Sequence, residues 1–281
     1  MYKIAVPNKG ALSEGAVEIL NDAGYRCRRY GRELVVRDAE HEVEFIFLRP
    51  RDIAVYVGSG IIHAGITGRD LAMDSRAEVV EKMSLNFGRS RFCYAVPAEK
   101  DLTPEQFGGL RVATSYPAVV EDDLKKRGVE AEIVRLDGAV EISIQLGVAD
   151  VIADVVESGR TLYEAGLKIV GEPIMHSEAV VIAQQGAEEE PELKSLLQRV
   201  SGILVARSYV LMTYLVPRDN LEAACKVTPG VKSPTIAPVS EDGWVSVSAM
   251  VKSKGINRII DELEALNAKG VIASAIKTCR L

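Results

Sequence analysis

The chain is poor in the residues that build metal centres and disulfide scaffolds. It has four cysteines, Cys27, Cys93, Cys225 and Cys279, and three histidines, His41, His63 and His176, in 281 residues. None stands in pairwise metal-ligand spacing and no cysteine has a histidine close by in sequence, so the thiols read as reduced cytosolic groups. Aromatic residues are few, and no apolar run approaches membrane-spanning length, which leaves no membrane partner to expect. The opening Met-Tyr-Lys-Ile-Ala-Val-Pro-Asn-Lys-Gly is too short and too polar for a signal peptide, so a cytoplasmic location is expected. Basic residues are in the minority, 34 against 40 acidic, and the net charge of −6 argues against nucleic acid as a partner. An anionic substrate would need a local basic cleft inside an acidic protein. No Gly-x-Gly-x-x-Gly follows the first strand, which weighs against a Rossmann oxidoreductase.

What the chain does contain is a repeated design in which a strand ends in an anion-friendly turn and a helix follows. The most developed case is Asp154–Thr161, Asp-Val-Val-Glu-Ser-Gly-Arg-Thr. Val151-Ile152-Ala153 before it reads as a buried strand, and Leu162–Gly166 after it as one or two helical turns. Backbone N–H groups at the helix start, with the Ser158 and Thr161 hydroxyls, suit a phosphate, and Gly159 lets the backbone approach it. Asp154 would repel a bare phosphate. It makes sense as an acceptor for ribose hydroxyls or as a weak contact for a cation, and phosphate, sugar and metal together indicate a phosphoribosyl group. Alone, such a turn is more often an ordinary connection with Thr161 as N-cap. The rest of the chain shifts the balance.

Pro7-Asn8-Lys9-Gly10 separates a strand at Tyr2–Val6 from a helix at Ala11–Ala23. Leu34–Val36 and Val43–Leu48 read as a hairpin. The second strand runs into Arg49-Pro50-Arg51-Asp52, with Pro50 opening a helix that continues through Asp52–Val57. Gly65–Leu71 repeats the plan with Arg69 and Asp70. Surface salt bridges explain each arginine singly, but strand carboxyl ends converge on one crevice in open α/β sheets. A second strand–helix unit follows Phe92–Pro97: strand Arg111–Thr114, helix Ala118–Lys126, strand Glu132–Leu136, helix Ala139–Leu146 and strand Val151–Val155. Tyr116, at a helix start, is equally suited to stacking on a base and to a core. Glu141 reads, from spacing alone, as a solvated helix carboxylate opposite an apolar Ile142/Leu146 face. Glu178–Ile182 returns as a strand to the first unit, and Pro191–Val205 is a helix with Leu193, Leu196, Leu197, Val200 and Ile203 at core spacing.

The expected fold class is therefore α/β, a two-lobed periplasmic-binding-protein-like core with residues 1–90 and 179–208 in one lobe and 91–178 in the other. Residues 209–281 read as a separate ferredoxin-like (ACT-like) βαββαβ module: strand Tyr209–Val216, helix Arg218–Lys226, strands Thr235–Pro238 and Trp244–Val251, an amphipathic helix carrying Ile256, Ile259, Ile260, Leu263 and Leu266, and strand Val271–Ile276.

The stretch Glu141–Leu162 resembles the signature of ATP phosphoribosyltransferases, the enzymes of the first step of histidine biosynthesis. Pro7–Gly10, Phe47–Pro50, Gly65–Asp70 and Ser233–Pro238 match that family too. The resemblance runs through the tail, which marks the long, self-regulated form. It implies transfer of the phosphoribosyl group of phosphoribosyl pyrophosphate to N1 of ATP, with Mg²⁺ as cofactor held mainly by the substrates. It also implies a homohexamer in exchange with dimers, inhibited by histidine. An oxocarbenium-like transition state needs leaving-group stabilisation and alignment more than a dedicated acid or base. By resemblance, Asp154, Val155, Glu157, Ser158, Gly159, Arg160 and Thr161 bind the phosphoribosyl group, with Glu141 near the ribose. Lys9 and Arg49, assisted by Arg51, neutralise the pyrophosphate. Lys9, Gly10, Arg69, Asp70, Leu71 and Tyr116 line the ATP side. Leu215, Val231, Ser233, Pro234, Thr235, Gly270 and Ser274 line the histidine pocket. Some relatives carry an acid where this chain has Leu215 after Tyr214, so weaker inhibition is expected. The rival reading is a two-lobed protein that binds or senses an anionic metabolite without catalysis.

Overall fold

The structure is a computed structural model that describes residues 1–31 and 33–281. Backbone contacts divide it into two compact units: residues 1–21 with 25–194, and 22–24 with 195–281.

The first unit holds two sheets. One is built from β1 (Tyr2–Pro7), β2 (Val35–Asp38), β3 (Val43–Leu48), β4 (Ala64–Gly68), β5 (Val80–Ser84) and a strand that returns later in the chain, β11 (Ala179–Ala183). Its order is β2-β3-β1-β4-β11-β5. β1 pairs in parallel with β3 and β4, whereas β11 runs antiparallel to β4 and β5. Parallel strands need both faces covered, and Ile4, Ala5, Val6, Ala64 and Ile66 are accordingly buried. α1 (Gly10–Asp22), α2 (Pro50–Gly58) and α3 (Arg69–Asp74) leave the carboxyl ends of β1, β3 and β4. α2 packs so closely on β4 that a Cβ on Gly65 would lie 2.5 Å from Ile53 Cγ2.

The second sheet comprises β6 (Ser90–Pro97), β7 (Arg111–Thr114), β8 (Glu132–Arg135), β9 (Val151–Val156) and β10 (Leu167–Ser177), in the order β10-β6-β9-β7-β8. α4 (Pro117–Arg127) follows β7 and α5 (Arg160–Glu164) follows β9. Phe92, Tyr94, Val96, Phe107, Val112, Val120 and Val151 form its core on one face. Cys93, Ala95, Ala113 and Ile152 are buried on the other. The chain crosses between the sheets twice, from β5 to β6 and from β10 to β11.

The structure departs from the sequence reading in the local backbone at two places. The helix expected over Ala139–Leu146 is a single 3-10 turn, Val140–Ser143, entered through Ala139 at φ 49°. A three-residue repeat eclipses i and i+3, so Val140 and Ser143 face inward while Ile142 and Leu146 are exposed. Thr161 is not an N-cap, because α5 already begins at Arg160 with Gly159 (φ 80°) as the cap. α6 (Pro191–Ser208) is shared between the two units, its first four residues with the first and Ser195 onward with the second.

The rest of the second unit is β12 (Tyr209–Pro217), α7 (Leu221–Val227), β13 (Thr235–Pro238), β14 (Trp244–Lys252), α8 (Ile256–Ala265) and β15 (Lys269–Ala275). The strand order β13-β14-β12-β15 is antiparallel throughout, the ferredoxin-like arrangement. Alternation along β12 sends Met212, Tyr214 and Val216 into a core shared with Leu263, and leaves Leu211 and Leu215 on the open face.

Candidate functional site

β9 lies in the middle of its sheet, paired with β6 on one side and β7 on the other. Its apolar half is buried, and its carboxyl end delivers Asp154 to the rim. Glu141, Asp154, Glu157, Ser158, Gly159 and Thr161 line a pocket of about 370 Å³ there. Ser158 Oγ accepts the Arg160 backbone N–H at 3.4 Å. The Arg160 guanidinium points elsewhere, with Nε 2.7 Å from Glu164 on the exposed side of α5. Burial pushes the Asp154 carboxyl above the ordinary range, and the neighbouring acids Glu141 and Asp70 add to the shift. Its bond from the Val155 N–H and the charge of Arg51 oppose the shift. The 3-10 turn puts Glu141 in this pocket, where a regular helix was expected to leave it in solvent.

A second pocket, about 240 Å³, adjoins the first and shares Val155 and Glu157 with it. Lys9, Gly10, Asp70 and Leu71 come from the first sheet's turns and Tyr116 from the second's. Asp70 is buried. Its Oδ1 accepts the Ser177 hydroxyl at 2.8 Å, and its N–H donates back to Ser177 Oγ at 3.1 Å. Burial pushes the Tyr116 hydroxyl strongly upward, and the nearby Asp70 charge adds to the shift. Its ring lies edge-on to Phe92, 5.1 Å between centroids, with the Arg51 guanidinium 4.7 Å above it. Arg29 steadies the turn before Lys9, donating from Nη2 to Asn8 O at 2.7 Å while lying over Phe47. Asn8 Oδ1 is buried and has no hydrogen-bond partner among the described residues, an unmet demand for a donor next to Lys9.

The four arginines expected at strand ends thus differ in role. Arg49 is the N-cap residue of α2, exposed and without an acidic partner among the described residues, as is Lys9. Arg49 lines neither pocket. Arg51 is committed to Asp74 at 2.7 Å. Arg69 lines neither of these pockets: it bonds Glu81, Ser84 and the His176 carbonyl, and it lines a separate hollow. Asp74, Ser177 and Arg29 escaped the sequence reading because their partners stand far off in sequence and no local motif marks them. Among the described residues no group of three or more His, Cys, Asp or Glu side chains could hold a metal. Asp154 nonetheless has acid neighbours and, among the described residues, no ion pair, a setting that an added positive charge would relieve.

In the second unit, Leu215 faces Ser246 and Lys269 across the sheet, and Ser274 faces Leu211. Thr235 is on β13 and Ser274 on β15, the two opposite edges. Three strand spacings separate them, roughly 14 Å, too far for one histidine to touch both within a single chain.

Comparison with known proteins gives a consistent result. The ATP phosphoribosyltransferase family model matches residues 49–202, and the model described as HisG, C-terminal domain, matches residues 206–278. The ATP phosphoribosyltransferase of Salinibacter ruber is 54% identical over 283 residues, covering 100% of both chains. That of Rhodococcus jostii is 54% identical over 281 residues, covering 100% of this chain and 99% of its own. Among solved structures, the ATP phosphoribosyl transferase (HisG:HisZ) complex from Thermotoga maritima has a chain that superposes with a TM-score of 0.64 at 24% identity. The match covers 73% of this chain and 99% of that one, which bears on the fold.

Proposed function

The chain belongs to the ATP phosphoribosyltransferase family, and from that premise we infer that it joins N1 of ATP to C1 of phosphoribosyl pyrophosphate, expelling pyrophosphate, in histidine biosynthesis. The observation that carries the residue assignments is the shared wall, Val155 and Glu157, which sets a sugar-phosphate pocket directly beside a pocket roofed by Tyr116.

The 5′-phosphate sits on Ser158, Gly159 and Thr161, with Arg160 contributing its backbone amide while its side chain is held by Glu164. Asp154 takes the ribose hydroxyls, and Glu141 stands beside it. The adenine lies against Asp70, Leu71 and Tyr116. As the C1–O bond lengthens, positive charge grows on the sugar and negative charge on the diphosphate, whose electrons leave with it. Lys9, and Arg49 once the lobes close, answer that growing negative charge. Neither has a competing carboxylate among the described residues, so their charge is available when the transition state needs it. The N1 lone pair of the adenine forms the new bond from the opposite face, and positioning lowers the barrier. Magnesium, when bound, supplies charge neutralisation on the polyphosphates, with Asp154 as the protein contact.

The regulatory reading is that histidine binds the second unit and lowers turnover. Because the residues assigned to its pocket lie on opposite sheet edges, the pocket closes only when a second copy's sheet abuts the first, which accords with a homohexamer in exchange with dimers. No helix among the described residues is long and apolar enough to cross a membrane, and the substrates place the enzyme in the cytoplasm. The test is to mix protein, ATP, phosphoribosyl pyrophosphate and magnesium, then follow the new ultraviolet-absorbing adduct and pyrophosphate together. Tight nucleotide binding with neither product appearing would instead support a metabolite-binding protein.

A further inference from the structure

We propose that Asp74 is a positioning residue for the nucleotide: it fixes Tyr116 at the pocket wall by gripping the Arg51 guanidinium on its own lobe and the first turn of α4 on the other. Its side chain is 6% exposed, and its two oxygens are divided between the lobes. Oδ2 lies 2.7 Å from Arg51 Nη1. Oδ1 accepts the backbone N–H of Ala118 at 2.9 Å and of Val119 at 3.5 Å.

α4 needs such an acceptor. Its N-cap residue is Tyr116 and its first residue Pro117, and no side chain of its own caps it. Ala118 and Val119 therefore offer the first unpaired donors of the helix, and a carboxylate from the other sheet's lobe takes both. Asp74 is also the last residue of α3, the wrong end of a helix for an acid. Its place is explained by what it meets across the cleft. The consequence falls on Tyr116, whose backbone N–H is tied to Thr114 Oγ1 at 2.9 Å. Its ring is confined between Arg51 and Phe92, at a pocket that Asp70 also lines. Without Asp74, Arg51 loses the partner that parks it on the ring, and the turn carrying Tyr116 loses its anchor. The nearby pairs of Arg76 with Glu121 and Asp122 join the same two lobes, but all three side chains are more than half exposed and cannot substitute.

This inference rests on reading Tyr116 as part of the nucleotide wall, and the experiment separates the two. Steady-state kinetics on the full-length protein compare Asp74→Asn, Asp74→Ala, Tyr116→Leu and the double variants. Asparagine keeps a carbonyl for the Ala118 N–H and gives up the pair with Arg51; alanine gives up both. KM for ATP is expected to rise about threefold in Asp74→Asn and about tenfold or more in Asp74→Ala, losses typical of one and of two such bonds. KM for phosphoribosyl pyrophosphate should stay within about twofold, and in the Tyr116→Leu background neither Asp74 change should raise KM for ATP further. Parallel rises for both substrates, or effects that add in full to that of Tyr116→Leu, overturn the proposal. Should Asp74→Ala not fold, the near-isosteric Asp74→Asn and its double variant decide by the same criteria. If Tyr116→Leu itself leaves KM for ATP unchanged, the nucleotide wall is misassigned and the inference falls with it. If Tyr116→Leu raises KM for ATP while the Asp74 variants leave it unchanged, only the inference falls.

Discussion

Arg69 and Glu81 form a two-point ion pair: Nε lies 2.8 Å from one carboxylate oxygen and Nη2 2.8 Å from the other. Nη2 also reaches Ser84, and Nη1 reaches the His176 carbonyl, so this one guanidinium ties β5 to the strand crossing between the two sheets. The carboxylate holds its pKa low through that bond, and the guanidinium is raised in return. The pair is partly exposed, which limits its worth. Arg69→Ala is expected to cost about 1 kcal/mol of stability, a few degrees in Tm, while KM for ATP moves less than about twofold. A tenfold rise in KM with Tm intact would return Arg69 to the nucleotide site.

Asp154 makes the opposite trade. Burial foremost, with Glu141 and Asp70, raises its folded-state pKa above the unfolded value of 3.8. The folded protein then holds that proton more tightly than the unfolded chain. Stability is lost as pH rises from the unfolded pKa through the raised one, and at neutral pH the ionised Asp154 is a net cost. Asp154→Asn should raise Tm at pH 7, with the gain vanishing in acid below both values. It should also lower kcat/KM for phosphoribosyl pyrophosphate by about a hundredfold, as expected when a group that orients the sugar is lost. A variant less stable than the parent at pH 7 contradicts the electrostatic account.

Arg49 has an exposed side chain and no acidic partner among the described residues. Its removal should leave Tm unchanged and act on turnover alone. If it meets the diphosphate only as charge develops, Arg49→Ala lowers kcat by about 10²–10³, the scale of losing one preorganised transition-state donor, with little change in either KM. Turnover within a few-fold of the parent removes it from the mechanism.

The strand ends were legible because buried parallel strands read as apolar runs and their turns carry Gly, Pro and charged residues in a fixed order. Two strands gave weaker signals. β5, Val-Glu-Lys-Met-Ser, is a charged sheet edge, and β10 is broken by Gly171 and Pro173, where its register with β6 shifts between Val170 and Met175. At the site, the turn Asp154–Thr161 is local and could be read as a motif. Which arginine is free and which is spoken for depends on Glu81, Asp74 and Glu178, residues brought close by the sheets alone. The exposure of Ile142 and the inward turn of Glu141 followed from a backbone conformation at Ala139 that spacing does not encode.

Leu215 lies on the open face of the second unit, half-exposed, with its register partners Ser246 and Lys269 to either side. If the histidine ammonium approaches this position, an aliphatic side chain offers it nothing and leaves Lys269 as an unfavourable neighbour. Leu215→Glu supplies a carboxylate able to accept a charge-assisted hydrogen bond from the ligand, a gain of about 1.5–3 kcal/mol before competition from Lys269. Half-inhibition by histidine should therefore occur at a concentration about tenfold lower, with uninhibited kcat unchanged because the substitution lies outside the catalytic unit. Isothermal titration with histidine should show the same shift, weakening as salt screens the pair. Inhibition unaltered in a well-folded Leu215→Glu protein would place the ammonium elsewhere on the sheet.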